Sequence, residues 1–162
     1  MTSKMIDALC AQADHERLAS ASYIALAHWC EDYEFSGYYK FFTEQAAEEL
    51  VHMEKIHRFL LDCDVCPVLG PLEAPQCQFD GLSVVARTAL ALEEANSAGV
   101  RECYDIALSE KDYPAKLLLE WFITEQVEEE EWARKMVTLT ERASCSGGLL
   151  YLDRHIHKYL SE

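Results

Sequence analysis

The sequence predicts an all-α protein, a four-helix bundle with one long crossover between its second and third helices and a short helix near its C-terminal end. Three observations carry this. Four long segments repeat their apolar residues at alternating spacings of four and three, as a helix with one buried stripe does. Gly and Pro are nearly absent from the interiors of those segments. Three of the four prolines instead crowd into residues 67–75, where the helical pattern stops.

The first helix is predicted from about Lys4 to Asp32, with the stripe Leu9, Gln12, Glu16, Ala19, Tyr23, Leu26 and Cys30. Ala21, Ala25 and Ala27 let neighbours approach closely. A short turn at Ser36-Gly37 leads to the second helix, about Tyr38 to Leu61, whose stripe is Phe42, Ala46, Glu49, Met53, Ile56 and Leu60. So short a turn makes these two helices antiparallel neighbours. The stretch "DVCPVLGPLEAPQCQFDG" follows and reads as an extended strap. At about 3 Å per residue it reaches along the whole bundle, which an up-down-up-down arrangement would not require. The second and third helices are therefore expected to run the same way.

The third helix is predicted from about Gly81 to Ser109, with the stripe Leu82, Ala86, Ala89, Glu93, Asn96, Val100, Cys103 and Ala107. "EKDYP" ends it, and Pro114 suits the start of the fourth helix, which continues to about Arg142. The expected stripe there is Leu118, Phe122, Glu125, Glu129, Trp132, Met136 and Leu139. Gly147-Gly148 sets apart the amphipathic tail "LLYLDRHIHKYL", too short to be a fifth member of the bundle. One domain over residues 1–162 is expected, with the bundle at about 4–142 and the terminal helix at about 148–160.

Half of the residues are apolar, which argues against disorder, and the net charge of -15 argues against nucleic acid or an anionic membrane as partner. Cations are the natural guests. No apolar run approaches the roughly 20 residues that span a bilayer. "MTSKMIDALC" lacks the charged, apolar and small-residue segments of a secretory leader, so a cytoplasmic location is expected. Seven scattered cysteines do not form a disulfide framework, and Cys63 and Cys66 lack the second pair that a zinc site would need.

Each stripe is interrupted near its middle by acid: Glu16, Glu49, Glu93, and Glu125 with Glu129. His52 shares the face of Glu49, three residues on. Measured from the end where the first helix starts, the five acids fall at heights of roughly 17, 20, 24, 17 and 22 Å, using about 1.5 Å per residue. All sit in one layer. A buried unpaired charge is costly, so these groups are expected to meet around cations. Several carboxylates with one imidazole suit a pair of first-row ions, iron or manganese above thiolate-seeking metals, with Glu49 as the bridge.

Glu-x-x-His in the second helix, single acids in the first and third, and an acidic cluster in the fourth form the pattern of ferritin-like carboxylate bundles. More closely, "SYIALAHWC", "FFTEQAAEELVHM", "KDYPAKLLLEWFITEQVEEEE" and "GGLLYLD" resemble the bacterial non-haem ferritins along nearly the whole chain. The resemblance implies a first iron site at Glu16, Glu49 and His52 and a second at Glu49, Glu93 and Glu129. It implies a third at Glu48, Glu125 and Glu128 with Glu129 shared, and places Tyr23 and Gln126 beside the centre. It further implies Fe(II) oxidation by O2 or H2O2 and storage of the ferric mineral inside a hollow homo-oligomer, a 24-mer. The prolines and cysteines of the strap depart from the family pattern.

Two other readings stay in view. A di-iron oxidoreductase of the rubrerythrin kind wants a second Glu-x-x-His in the fourth helix, where Gln126-Val127-Glu128-Glu129 lacks the imidazole. A non-catalytic storage subunit would lose the first-site ligands, and all are present. Leu50 stands where bacterioferritins carry a haem-ligating Met, so no haem is predicted. His155 and His157 of the tail are candidates for lining a pore of the shell.

Overall fold

The computed structural model describes residues 1–143 and 145–161. Five helices follow in order: α1 (Ser3–Asp32), α2 (Ser36–Asp62), α3 (Leu82–Glu110), α4 (Tyr113–Arg142) and α5 (Ser146–Ser161). Polar side chains start two of them. Thr2 accepts from the Met5 N–H of α1 at 3.2 Å, and Asp112 accepts from the Ala115 N–H of α4 at 3.2 Å. Glu34, Asp64 and Lys111 take left-handed conformations, with φ of 63°, 60° and 58°, just beyond the ends of α1, α2 and α3.

Two apolar layers fix the topology. One joins Leu9 near the start of α1 to Leu60 at the end of α2, Ala107 at the end of α3 and Ala115 at the start of α4. The other joins Cys30 at the end of α1 to Tyr38 at the start of α2, Val85 at the start of α3 and Met136 towards the end of α4. The starts of α2 and α3 share a layer, so these helices run the same way, and the crossover expected from the strap's length is present. Between the layers the strap is tied to α1: the Gly70 N–H donates to Asp14 Oδ2 at 2.7 Å, and its carbonyl accepts from Arg17 Nη2 at 2.5 Å. Phe79 then meets the Trp29 ring edge-on at 6.1 Å.

Two local expectations need correction. Gly37 is not a turn residue but lies in the first turn of α2, where a Cβ would stand 1.8 Å from the Asp153 carbonyl oxygen. Only glycine lets α5 come that close. Phe35, the N-cap of α2, makes no side-chain capping bond; Asp153 Oδ1 takes that role from α5, accepting from the Gly37 and Tyr38 N–H groups at 2.9 and 3.0 Å. A carboxylate at this positive helix end contributes on the order of 1 kcal/mol. Leu152 and Ile156 complete the docking of α5 on the second apolar layer.

The second correction concerns α4. Its buried face is Ala115, Leu119, Phe122, Gln126, Glu129, Ala133, Met136 and Thr140. Leu118, Glu125, Trp132 and Leu139 lie at its edge, half-buried. The helix is rotated because Gln126 has partners inside: its Nε2 donates to Glu93 Oε2 at 3.3 Å and to Ser97 Oγ at 3.2 Å. A polar residue with buried partners outweighs an apolar one that packs nearly as well at the rim.

Candidate metal centre

Between the two apolar layers lies a polar one. Glu16, Glu49, His52, Glu93 and Glu129, drawn from all four long helices, are 0, 1, 2, 0 and 5 % exposed. Isolated carboxylates do not persist in such surroundings; they take up protons, pair, or bind cations.

The ligand atoms of Glu16, Glu49 and His52 lie within 4.8 Å of one another, and so do those of Glu48, His52, Glu125 and Glu129. His52 therefore faces both groups. Its Nδ1 is 3.3 Å from Glu49 Oε2, and its ring sits edge-on to Trp121 and Phe122, at 5.6 and 5.9 Å. Glu93 lies against the same layer through its partners. The Tyr23 hydroxyl donates to it, and Gln126 Nε2 donates to both its carboxylate and its main-chain carbonyl. Glu128 is exposed and belongs to neither group, although it was expected beside Glu125 and Glu48.

Neutral donors orient the acids. Gln12 Nε2 donates to Glu16 Oε1 at 2.8 Å and Asn96 Nδ2 to Glu16 Oε2 at 3.1 Å. Trp132 Nε1 donates to Glu129 Oε2 at 2.5 Å, and Gln45 Nε2 to Glu48 Oε2 at 3.1 Å. Gln12 and Asn96 were legible as polar breaks in their stripes, without a role. Trp132 reads in sequence as one more apolar position, and nothing in the spacing marks its indole N–H as a partner of Glu129.

The electrostatics follow from burial. It drives the Glu49 carboxyl well above the usual range, reinforced by the charges of Glu93 and Glu16. Burial also pushes Glu93 up to about 7, partly offset by the hydrogen bonds from Tyr23 and Gln126. Glu129 goes up to about 9, again by burial first and the charge of Glu93 second. Tyr23 is raised well above its ordinary value by burial and then by Glu93, so its phenol keeps the proton it donates.

The arrangement is a compact set of oxygen donors with one nitrogen, short of positive charge. First-row divalent ions fit that donor chemistry. A bound cation supplies the charge that protons supply in its absence.

In the tail, His157 Nδ1 lies 3.4 Å from Glu44 Oε2 of α2, and the half-buried His155 stacks on Tyr151 at 4.4 Å. Cys63 and Cys66 are free and exposed where the strap begins. Among the described residues no helix is long and apolar enough to cross a membrane.

A family model described as a ferritin-like domain matches residues 6–143. Among curated proteins, a bacterial non-heme ferritin of Staphylococcus saprophyticus is 30% identical over 152 residues, covering 94% of this chain and 91% of that protein. One from Staphylococcus aureus is 29% identical, covering 94% and 92%. Among solved structures, an open pore ferritin from the archaeon Archaeoglobus fulgidus superposes with a TM-score of 0.94 at 25% identity, covering 96% of this chain and 97% of its own.

Proposed function

The chain belongs to the ferritin-like family, and from that premise we propose that it stores iron and oxidises its cargo on the way in. Fe(II) is the substrate. The observation that carries this reading is the buried layer itself, where acids from four helices meet one imidazole.

Glu16, Glu49 and His52 hold one ferrous ion, Glu49, Glu93 and Glu129 the other, and Glu49 bridges them. Binding replaces the protons that burial forces onto Glu49, Glu93 and Glu129. Each ion gives one electron, and the two electrons with two protons reduce O2 to H2O2 or H2O2 to two waters; the ferric product moves to mineral inside a hollow homo-oligomer, a 24-mer. Gln12 and Asn96 fix the Glu16 carboxylate, and Tyr23 and Gln126 fix Glu93, so the ligands need little reorganisation when iron arrives. Glu48, Glu125 and Glu129 offer a third position beside the pair, with Glu128 one helical step away on the surface.

An anaerobic Fe(II) titration followed by air tests the proposal. Two or three ions bound per chain and then a fast ferric absorbance is the expected outcome. One ion or none would overturn the paired site.

A further inference from the structure

On the α1/α3 face, outside the buried layer, is a small cavity of about 100 Å³ lined by Gln12, His15, Gly99, Glu102 and Cys103 together with alanines of α1. Gln12 is 1 % exposed, and its Oε1 is buried with no hydrogen-bond partner. A buried amide oxygen left without a donor is a loss the protein ordinarily avoids. Gly99 makes the space it faces. A Cβ there would stand 2.0 Å from Gln12 Oε1 and 3.1 Å from His15 Nδ1, so an acceptor oxygen and an imidazole nitrogen converge on the spot that only glycine leaves open. His15 and Glu102 are exposed and bring an imidazole and a carboxylate to the rim. Cys103 takes no part as a ligand: burial pushes its thiol up to about 12, and it donates to the Ala8 carbonyl.

The other end of the Gln12 amide explains the placement. Its Nε2 donates to Glu16 Oε1 at 2.8 Å, so one side chain separates the cavity from the centre. Gln12 stands one helical turn from both His15 and Glu16, within about 6 Å of each.

We propose that this cavity is a divalent-cation site, with Gln12 Oε1, His15 Nδ1 and the Glu102 carboxylate as ligands, through which Fe(II) passes to Glu16. Two oxygens and one nitrogen suit a first-row divalent ion, and a weak three-donor site holds the ion without trapping it. The net charge of -15 draws cations to the surface of the chain, where His15 and Glu102 are exposed. The site rests on the reading of the buried layer as the place where that iron is oxidised.

Crystals soaked anaerobically in Co(II), measured by anomalous scattering, test both levels. The expected map has cobalt in the buried layer and a further peak beside Gln12 Oε1, and the peak at Gln12 is lost in the double variant His15→Ala/Glu102→Gln. In solution that variant should need about tenfold more Fe(II) for half-maximal oxidation, the range seen when a metal's supporting partners are removed, with kcat within about twofold. Cobalt in the layer but none beside Gln12, or an unchanged half-maximal concentration in the variant, overturns the port and leaves the centre standing. A map without cobalt in the layer overturns the centre itself.

Discussion

Glu48 and Glu49 are adjacent in the chain, as are Glu128 and Glu129, yet their environments differ completely. Glu49 and Glu129 are 1 and 5 % exposed, whereas Glu48 and Glu128 face water. One step of about 100° around a helix separates the members of each pair. That rotation decides their chemistry. The inner acids lose hydration, and burial drives their carboxyl groups upward, so each is a proton holder that waits for a cation. The outer acids stay hydrated and gain little from an ion that water already serves. Identical side chains thus become centre and periphery by position alone.

The contrast is tested hardest at Glu49, the proposed bridge between the two ions. Glu49→Ala should slow Fe(II) oxidation by at least about 100-fold, the upper end of what the loss of a mere supporting partner costs. Assembly by size exclusion should be preserved, because the apolar layers on either side are untouched. An unimpaired rate would break the distinction between inner and outer acids.

Next in size is the coupling of iron to protons. At neutral pH Glu129, at about 9, holds a proton, and Glu93, at about 7, holds one roughly half of the time; Fe(II) bound there displaces them. Anaerobic Fe(II) binding should therefore release protons in weak buffer and tighten as pH rises from 6 towards 8. Glu129→Gln, which has no proton to give, should release fewer. Equal release by the two proteins would place the titrating acids elsewhere.

The outer acids should matter less, and unequally. The ligand atoms of Glu125 are grouped with Glu48, His52 and Glu129, while Glu128 stands apart. Glu125→Ala should lower the anaerobic stoichiometry from three ions to two and slow later turnovers, sparing the first. Glu128→Ala should do so weakly. An effect of Glu128→Ala as large as that of Glu125→Ala would show that Glu128 swings inward when iron binds, and would blur the boundary drawn here.

Much of this was legible because helices impose their period on side chains. The stripes of α1 and α3, that of α2 apart from the half-buried Met53, and the one-layer convergence of the acids follow from counting, and the strap's length implied the crossover that the apolar layers display. What escaped depends on contacts between distant segments. The rotation of α4 by one residue comes from Gln126 reaching Glu93 and Ser97 on α3. Gly37 looks like a turn residue until Asp153 is seen packed against it, 116 residues away in the chain. No local pattern encodes either.

The smallest effect concerns stability and follows from the same burial. Glu129 is the better position for the test: Gln at 129 can still accept from Trp132 Nε1 through its amide oxygen, whereas both carboxylate oxygens of Glu93 accept, from Tyr23 and from Gln126, and Gln there would replace one of those acceptors by NH2. Glu129 has its carboxyl raised from 4.5 to about 9. An acid raised by folding binds its proton more tightly in the native state than in the unfolded one. Between those two values the native state holds more protons, so stability falls as pH rises through the window. The deficit is absent below the lower value and complete above the upper. Glu129→Gln cannot ionise and lacks this term. With chelator present the two proteins should melt alike near pH 4, and the variant should melt higher by pH 8, by at least a few degrees, since each kcal/mol moves Tm by about 2–4 °C in a chain of this size. Zn(II) should reverse the order at pH 8, because it stabilises the folded state by binding and the variant has lost a ligand. A Gln variant that melts lower than the parent with chelator at pH 8 would mean that Glu129 is no strained inner acid, and the line between it and its exposed neighbour Glu128 would have to be redrawn.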